Sequence, residues 1–237
     1  MVDNKINEEK IAPTVSSWAN DDLIMVPKEI YKCSGIIING KRIKSLLFTT
    51  DVAIIINNNA DAIFAVYPFT PHPAIFSAIT SVAQAPVFAG VGGGTTKGER
   101  AREMALLAES QGCIAVVLNA PAPVETFKGI AKTVICPIVA TVVSEYTDIE
   151  EKIEAGASII NISGGANTVN IIKKIREKYP DIPIIATGGP TAETILATIE
   201  AGANAISYTP PTNGDLFRIK MDKYREAEKA SFFENKE

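Results

Sequence analysis

The chain has 237 residues, 46% hydrophobic and 21% charged, with 23 basic and 27 acidic side chains and a net charge of −4. That supports a full core, and the length suits one domain best if it is an α/β barrel. No basic stripe interleaved with aromatics occurs, and no apolar run approaches the ~18 residues of a membrane span, so nucleic-acid and membrane partners are not expected.

The opening segment, MVDNKINEEK, has no apolar stretch and does not read as a secretory signal. The cysteines, Cys33, Cys113 and Cys136, are odd in number, far apart and without a CxxC, which disfavours a disulfide framework or a zinc site. Cys113 and Cys136 read as small buried hydrophobes. A reducing cytoplasm is the expected compartment. Residues 1–34 fit no repeating pattern and read as an arm. Its Trp18 and Leu23-Ile24-Met25-Val26 suit contact with a second copy, so a homo-oligomer is expected.

Next, Ile36-Ile37-Ile38, Asn39-Gly40 and Lys41-Arg42-Ile43 predict a hairpin with a type I′ turn, placed to plug one end of a barrel. Short Val- and Ile-rich runs then alternate with 3.6-period segments. Strands are expected at 45–50, 62–67, 86–91, 114–119, 137–144, 158–163, 183–187 and 205–209. Helices are expected at 51–58, 73–83, 97–111, 123–132, 147–155, 167–179, 191–201 and 213–228. Eight of each predict an α/β fold, a (β/α)8 TIM barrel over 35–230, preceded by the arm and hairpin. An open doubly wound sheet is the alternative. Glu154-Ala-Gly-Ala157 and Glu200-Ala-Gly-Ala203 repeat one device, a helix closed by glycine before a strand, and Gln111-Gly112-Cys113 echoes it. The charged residues from Glu226 onward are expected to fray, with 231–237 as a tail.

Strand alternation predicts which side chains share a face. Asn161 pairs with Ser163, Thr141 with Val143 and Glu145, Val117 with Asn119, Ile185 with Thr187, and Ser207 with Thr209. In the first strand the expected set is Ser45, Leu47, Thr49 and Asp51. The polar members gather at the carboxyl ends of the strands, as Thr49, Asp51, Asn119, Glu145, Asn161, Ser163, Thr187 and Thr209. Unpaired, each would cost about 1–3 kcal/mol. They therefore form a watered network or a ligand pocket, and barrel enzymes keep their sites at that end.

Three glycine loops follow strands: Gly92-Gly93-Gly94, Ser163-Gly164-Gly165 and Gly188-Gly189. Successive backbone N–H groups at a helix start can hold an anion. The loop GVGGGTTKG is neither a P-loop nor GxGxxG, since Gly98 follows Lys97. It reads as a substrate-contacting loop with Lys97 in reach, or as a plain turn.

The run from Ile184 to Ile195, with Gly188-Gly189 and the following Glu200-Ala-Gly-Ala203, resembles the last βα units of phosphate-binding barrels. Thiazole synthase, N-acetylmannosamine-6-phosphate epimerase, IMP dehydrogenase and the nitronate monooxygenases are of that kind. The resemblance implies a phosphate of substrate or flavin against Gly188 and Gly189, and about 45 residues carry it. The sequence departs at Pro210-Pro211, where two N–H donors of such a cup are missing. The whole chain also resembles a bacterial barrel family that carries the label hydrolase.

The one histidine, His72, lies in Pro71-His72-Pro73 and no G-x-S-x-G is present, so serine and cysteine hydrolase chemistry is unsupported. His72 suits general acid-base work or is incidental. No lysine falls at an inward strand position, which disfavours Schiff-base chemistry. Asp51 and Glu145 remain, expected nearly opposite each other, for proton transfer or for holding Mg2+. Asp51 also reads as a helix cap, and Glu145 as a first-turn residue favoured by a helix dipole. The leading expectation is an enzyme acting on a small anionic or phosphorylated metabolite by lyase, isomerase or synthase chemistry. The alternatives are an FMN-binding oxidoreductase, a metabolite-sensing barrel without catalysis, and a hydrolase of a small substrate. No cofactor is required by the sequence.

Overall fold

The computed structural model describes residues 23–234 together with Pro13 and Val15. Trp18 lies outside the described residues. Eight parallel strands close into a barrel in chain order: β3 (Ser45–Phe48), β4 (Ala62–Ala65), β5 (Val87–Gly92), β6 (Ala115–Leu118), β7 (Ile138–Val142), β8 (Ile159–Ile162), β9 (Ile184–Thr187) and β10 (Ala205–Tyr208), which returns to pair with β3. The helices are α1 (Val52–Ile56), α2 (Pro73–Val82), α3 (Gly98–Ser110), α4 (Val124–Ala131), α5 (Ile149–Glu154), α6 (Thr168–Lys178), α7 (Ala192–Glu200) and α8 (Asn213–Glu234). The eight-strand count therefore stands, and the open sheet does not.

Before the barrel, β1 (Ile36–Ile38) and β2 (Lys41–Ile43) pair antiparallel. Asn39 and Gly40 have φ of 50° and 77°, both on the left-handed side, as a type I′ turn demands. Ile36, Ile38 and Ile43 are buried and join the core inside the barrel with Leu46, Phe64, Phe88, Val117, Ile159 and Ile185. Each such isoleucine stabilises the fold by about 1.5–3 kcal/mol, so the hairpin is a true plug.

A second core layer lies between strands and helices and includes Leu47, Ile63, Val116, Ile160, Ile184 and Ile206. The two cores decide strand facing. In β3, Leu46 belongs to the inner layer and Leu47 to the outer, so Ser45, Leu47 and Thr49 are not the inward set. This corrects the expected face by one residue, which exchanges the two sides of a strand. Phe48 instead packs on Phe64, 6.2 Å between ring centroids, and Phe64 on Phe88 at 6.1 Å.

The helix-closing glycines behave as read: Gly112, Gly156 and Gly202 have φ of 91°, 110° and 114°. Arg176 of α6 ties the amino ends of β9 and β10 together. It donates to the carbonyls of Gly202, Pro180 and Ile182 and to Asn204 Oδ1 at 2.6–2.9 Å.

The last βα unit is unusual. Helix α8 buries no side chain among its described residues and stays helical to Glu234, past the point where fraying was expected. The other end of the chain packs beside it, and Leu23, Ile24 and Met25 share a groove with α1 and with Leu216 and Phe217 of α8. Ile24 pairs with the segment after α1, donating to Asn57 O at 2.9 Å. A 3-10 helix at Lys28–Lys32 packs against α7 and puts Ile30 and Cys33 into the outer core. No described helix is long and apolar enough to cross a membrane.

Candidate active site

A cavity of about 550 Å³ opens at the carboxyl ends of the strands. One wall is apolar, with Phe48, Phe64, Val66, Tyr67 and Ile54. The other is polar and carries Asn119, Thr141, Asn161, Ser163 and Thr209. Asp51 is its one carboxylate. Strand alternation delivers Thr141 and Asn161 inward, as expected, while Asn119 directly follows β6 and Thr49 and Asp51 arrive from the loop beyond β3.

Asn161 sits at the centre of the problem. It is 5% exposed, and its Nδ2 donates to Thr141 Oγ1 at 3.2 Å. Its Oδ1 has no hydrogen-bond partner among the described residues. A buried polar atom without a partner costs about 1–3 kcal/mol. In a cavity wall, that cost is what a ligand hydrogen bond would remove. Thr141 did not stand among the site residues expected from sequence, although its inward direction was legible there.

Asp51 caps α1: its Oδ1 accepts from Ala53 N at 2.9 Å and Ile54 N at 3.3 Å. Thr49 Oγ1 accepts from Asp51 N at 3.1 Å, which fixes the turn. The cap leaves Oδ2 without a hydrogen-bond partner among the described residues. Both readings of Asp51 therefore hold together geometrically, a cap through one oxygen and a cavity carboxylate through the other.

Glu145 is not opposite Asp51 in this cavity, which corrects the paired-carboxylate expectation. Its carboxylate is bound by Lys174 of α6 and accepts from Asn167 Nδ2 at 3.5 Å. It lies in a separate groove between α5 and α6. The Lys174 ammonium, then the Asn167 amide, hold its carboxyl below the usual range. Strand β7 ends at Val142, so alternation no longer governs residue 145. Among the described residues, no cluster of three or more His, Cys, Asp or Glu side chains is placed to hold a metal ion. Asp51 is the one carboxylate of this cavity among the described residues, so the carboxylate pair expected to hold Mg2+ is not assembled.

His72 and Lys97 are both at helix starts and outside the cavity lining. His72 Nδ1 accepts from Ala74 N at 3.2 Å, a cap bond. Of the three glycine loops, Gly164 packs instead of binding: a Cβ there would sit 2.5 Å from Ile171 Cδ1, and its N–H donates to Thr168 Oγ1. Gly165, at φ 58°, starts a 3-10 turn and lines none of the cavities described here. Gly188 is likewise pressed against Ile206 and Ile195.

Thr187, Gly189, Ser207 and Thr209 line an adjoining hollow of about 450 Å³, roofed by Pro210 and Pro211. This is where the resemblance implied a phosphate. The helix starts around it are already capped. Thr191 and Thr194 form a reciprocal capping box on α7. The Glu193 carboxyl is held low by its own backbone N–H and then the Thr191 hydroxyl. At α8, Thr212 donates to Asp215 Oδ2 at 2.6 Å and accepts from Asp215 N at 3.1 Å. With those groups engaged, Pro210 and Pro211 lacking N–H, and no lysine or arginine in the lining, these residues do not fit an FMN phosphate.

The comparisons agree with the geometry at the level of fold. No protein-family model and no curated protein sequence matches the chain. Solved structures do match. A phosphonopyruvate hydrolase complexed with oxalate and Mg2+ superposes with a TM-score of 0.57 at 16% identity, covering 78% of this chain and 80% of its own. A dihydrodipicolinate synthase from Bacillus anthracis gives 0.55 at 19% identity, covering 80% and 77%. A phosphoenolpyruvate phosphomutase from Streptomyces platensis subsp. rosaceus gives 0.56 at 14%, covering 81% and 83%. The chain shares its barrel with these enzymes.

Proposed function

We propose that the chain is an enzyme that binds a small anionic metabolite, phosphorylated or a keto acid, in the Asp51–Asn161 cavity and moves a proton on it. Lyase, isomerase or synthase chemistry fits that arrangement. The observation that carries this reading is the buried, half-satisfied amide of Asn161 in the cavity wall. In this reading Asn161 Oδ1 accepts from a hydroxyl or other protonated group of the ligand, while Asn119 and Ser163 donate to its carbonyl or carboxylate oxygens. Asp51, anchored through Oδ1, exchanges the proton through Oδ2. No lysine lines the cavity, so a Schiff base is not part of the scheme. The oxalate named with the phosphonopyruvate hydrolase supports the choice of ligand class.

A melting-temperature screen of the purified chain against oxalate, pyruvate, phosphoenolpyruvate and sugar phosphates tests the reading. Binding at 100 times Kd stabilises by about 2.7 kcal/mol, which such a screen resolves readily. A shift that Asn161→Ala abolishes supports it. No shift with any of these compounds overturns it. Self-association belongs to the same proposal, since α8 exposes Phe217 and Tyr224 at 65% and 60%. A light-scattering mass of one chain would exclude that part.

A further inference from the structure

The loop between β5 and α3 differs from the phosphate cup that resemblance implied. Gly93 N donates to Thr96 O at 2.9 Å, closing the loop on itself. The N–H groups of Gly94, Thr95 and Thr96 have no partner among the described residues. Lys97, at the start of the 13-residue α3, makes no side-chain cap bond. The first-turn acid, Glu99, is bound by Arg102. Helices α7 and α8 cover their own starts with Glu193 and Asp215, whereas the first N–H of α3, from Gly98, donates to Thr126 Oγ1 of α4 at 2.9 Å.

A second observation is independent of the backbone. Thr96 is 1% exposed, and its Oγ1 is buried without a hydrogen-bond partner. It lines a hollow of about 130 Å³ with Gly92, Gly93, Gly94, Thr95 and Asn119. That hollow shares Val66, Tyr67, Pro68 and Asn119 with the main cavity, so the two adjoin. Glycine at 93 makes this approach feasible, because a Cβ there would lie 2.7 Å from Asn119 Cβ.

We infer that the Gly93–Thr96 loop is the anion subsite of this barrel and takes a phosphate or phosphonate group. Free N–H groups of Gly94, Thr95 and Thr96, in the loop that leads into α3, supply donors for an anion. The Thr96 hydroxyl adds a donor that has nothing else to bond. Combined with the proposed function, on which this part rests, the ligand is bipartite. Its phosphoryl end lies at Thr96 and its reacting end at Asp51 and Asn161, with Asn119 between them.

The test uses the full chain and inorganic phosphate, read by isothermal titration. Wild type is expected to bind. Thr96→Val is expected to weaken binding about tenfold, the scale of a hydrogen bond to a charged group, and Thr96→Ser to retain it. The melting temperature separates this from damage, because Thr96→Val removes an unsatisfied buried hydroxyl and should melt no lower than wild type. Absence of phosphate binding by wild type, or equal affinity in a folded Thr96→Val, overturns the inference. The oxalate and pyruvate screen reports on the Asn161 cavity instead, so either reading can fail while the other survives.

Discussion

Asn161 of β8 reaches across to Thr141 of β7 at 3.2 Å, and the two residues are also paired in the sheet register. The bond uses one end of the amide and leaves the other in the cavity wall without a partner. The amide is thus oriented before any ligand arrives.

That orientation is measurable. Thr141→Val should lower ligand affinity several-fold without touching the proposed ligand contact at Asn161 Oδ1, while Asn161→Ala should lower it at least tenfold. A double-mutant cycle on ligand binding should give a coupling of about 1 kcal/mol, typical of contacting polar residues. Purely additive losses would show that Thr141 does not position the amide.

Asp51 has two separable jobs. Asparagine caps a helix about as well as aspartate, whereas alanine loses about 1 kcal/mol. Asp51→Asn should therefore melt close to wild type and lose turnover. Asp51→Ala should lose turnover and also melt about 2–4 °C lower. Equal turnover in wild type and Asp51→Asn would remove the carboxylate from the mechanism.

Glu145 should be dispensable for turnover. Its carboxyl is held low by Lys174, so its contribution to stability exists above the usual carboxylate range and is lost as pH falls through the lowered value. Glu145→Gln should flatten the acid side of the melting-temperature profile while leaving any turnover unchanged. A large loss of turnover would return Glu145 to the site.

The thiols should be sluggish. Burial pushes Cys33 and Cys113 up to about 11, and burial followed by the Glu109 carboxylate pushes Cys136 up to about 12. Native protein at pH 8 should react with a thiol reagent far more slowly than unfolded protein. The raised values also mean that stability is complete below the unfolded thiol pKa and declines as pH rises through the folded values. An alkaline melting profile that stays flat to pH 11 would contradict this.

Arg176→Met should be among the costly single substitutions, by about 2 kcal/mol, because it leaves the half-buried carbonyls of Gly202 and Ile182 and Asn204 Oδ1 without their charged donor. Denaturant titration checks this, and a loss under 1 kcal/mol would show that water replaces the guanidinium without penalty.

Much of this fold was legible in the chain. Val- and Ile-rich runs marked all eight barrel strands because both faces of a parallel barrel strand are buried. The same burial hid the facing of β3: in Ser45-Leu46-Leu47-Phe48 either alternation is apolar, and only the partner of Phe48, Phe64, decides it. The cavity residues of β7 and β8 were readable because Thr141 and Asn161 each interrupt an apolar strand, and Asn119 because it directly follows one. Glu145 misled because alternation was extended past Val142, where the strand ends. Thr96 gave no signal, since a threonine beside glycines also reads as a turn, and only burial shows its hydroxyl to be unsatisfied.

The amino-terminal segment that closes on β10 has a consequence for how the barrel comes apart. The entry to β10 is held by residues some 170 positions distant, as Gly35 N donates to Asn204 O at 2.8 Å and Asn204 Nδ2 to Ser34 Oγ at 2.9 Å. Contacts so remote in sequence form late, because a long loop must close before they are gained. The β10–β3 seam is accordingly a zip whose slider is the 3-10 turn at Lys28–Lys32. Amide exchange should open that seam first, with the strands β6 to β8 still shut.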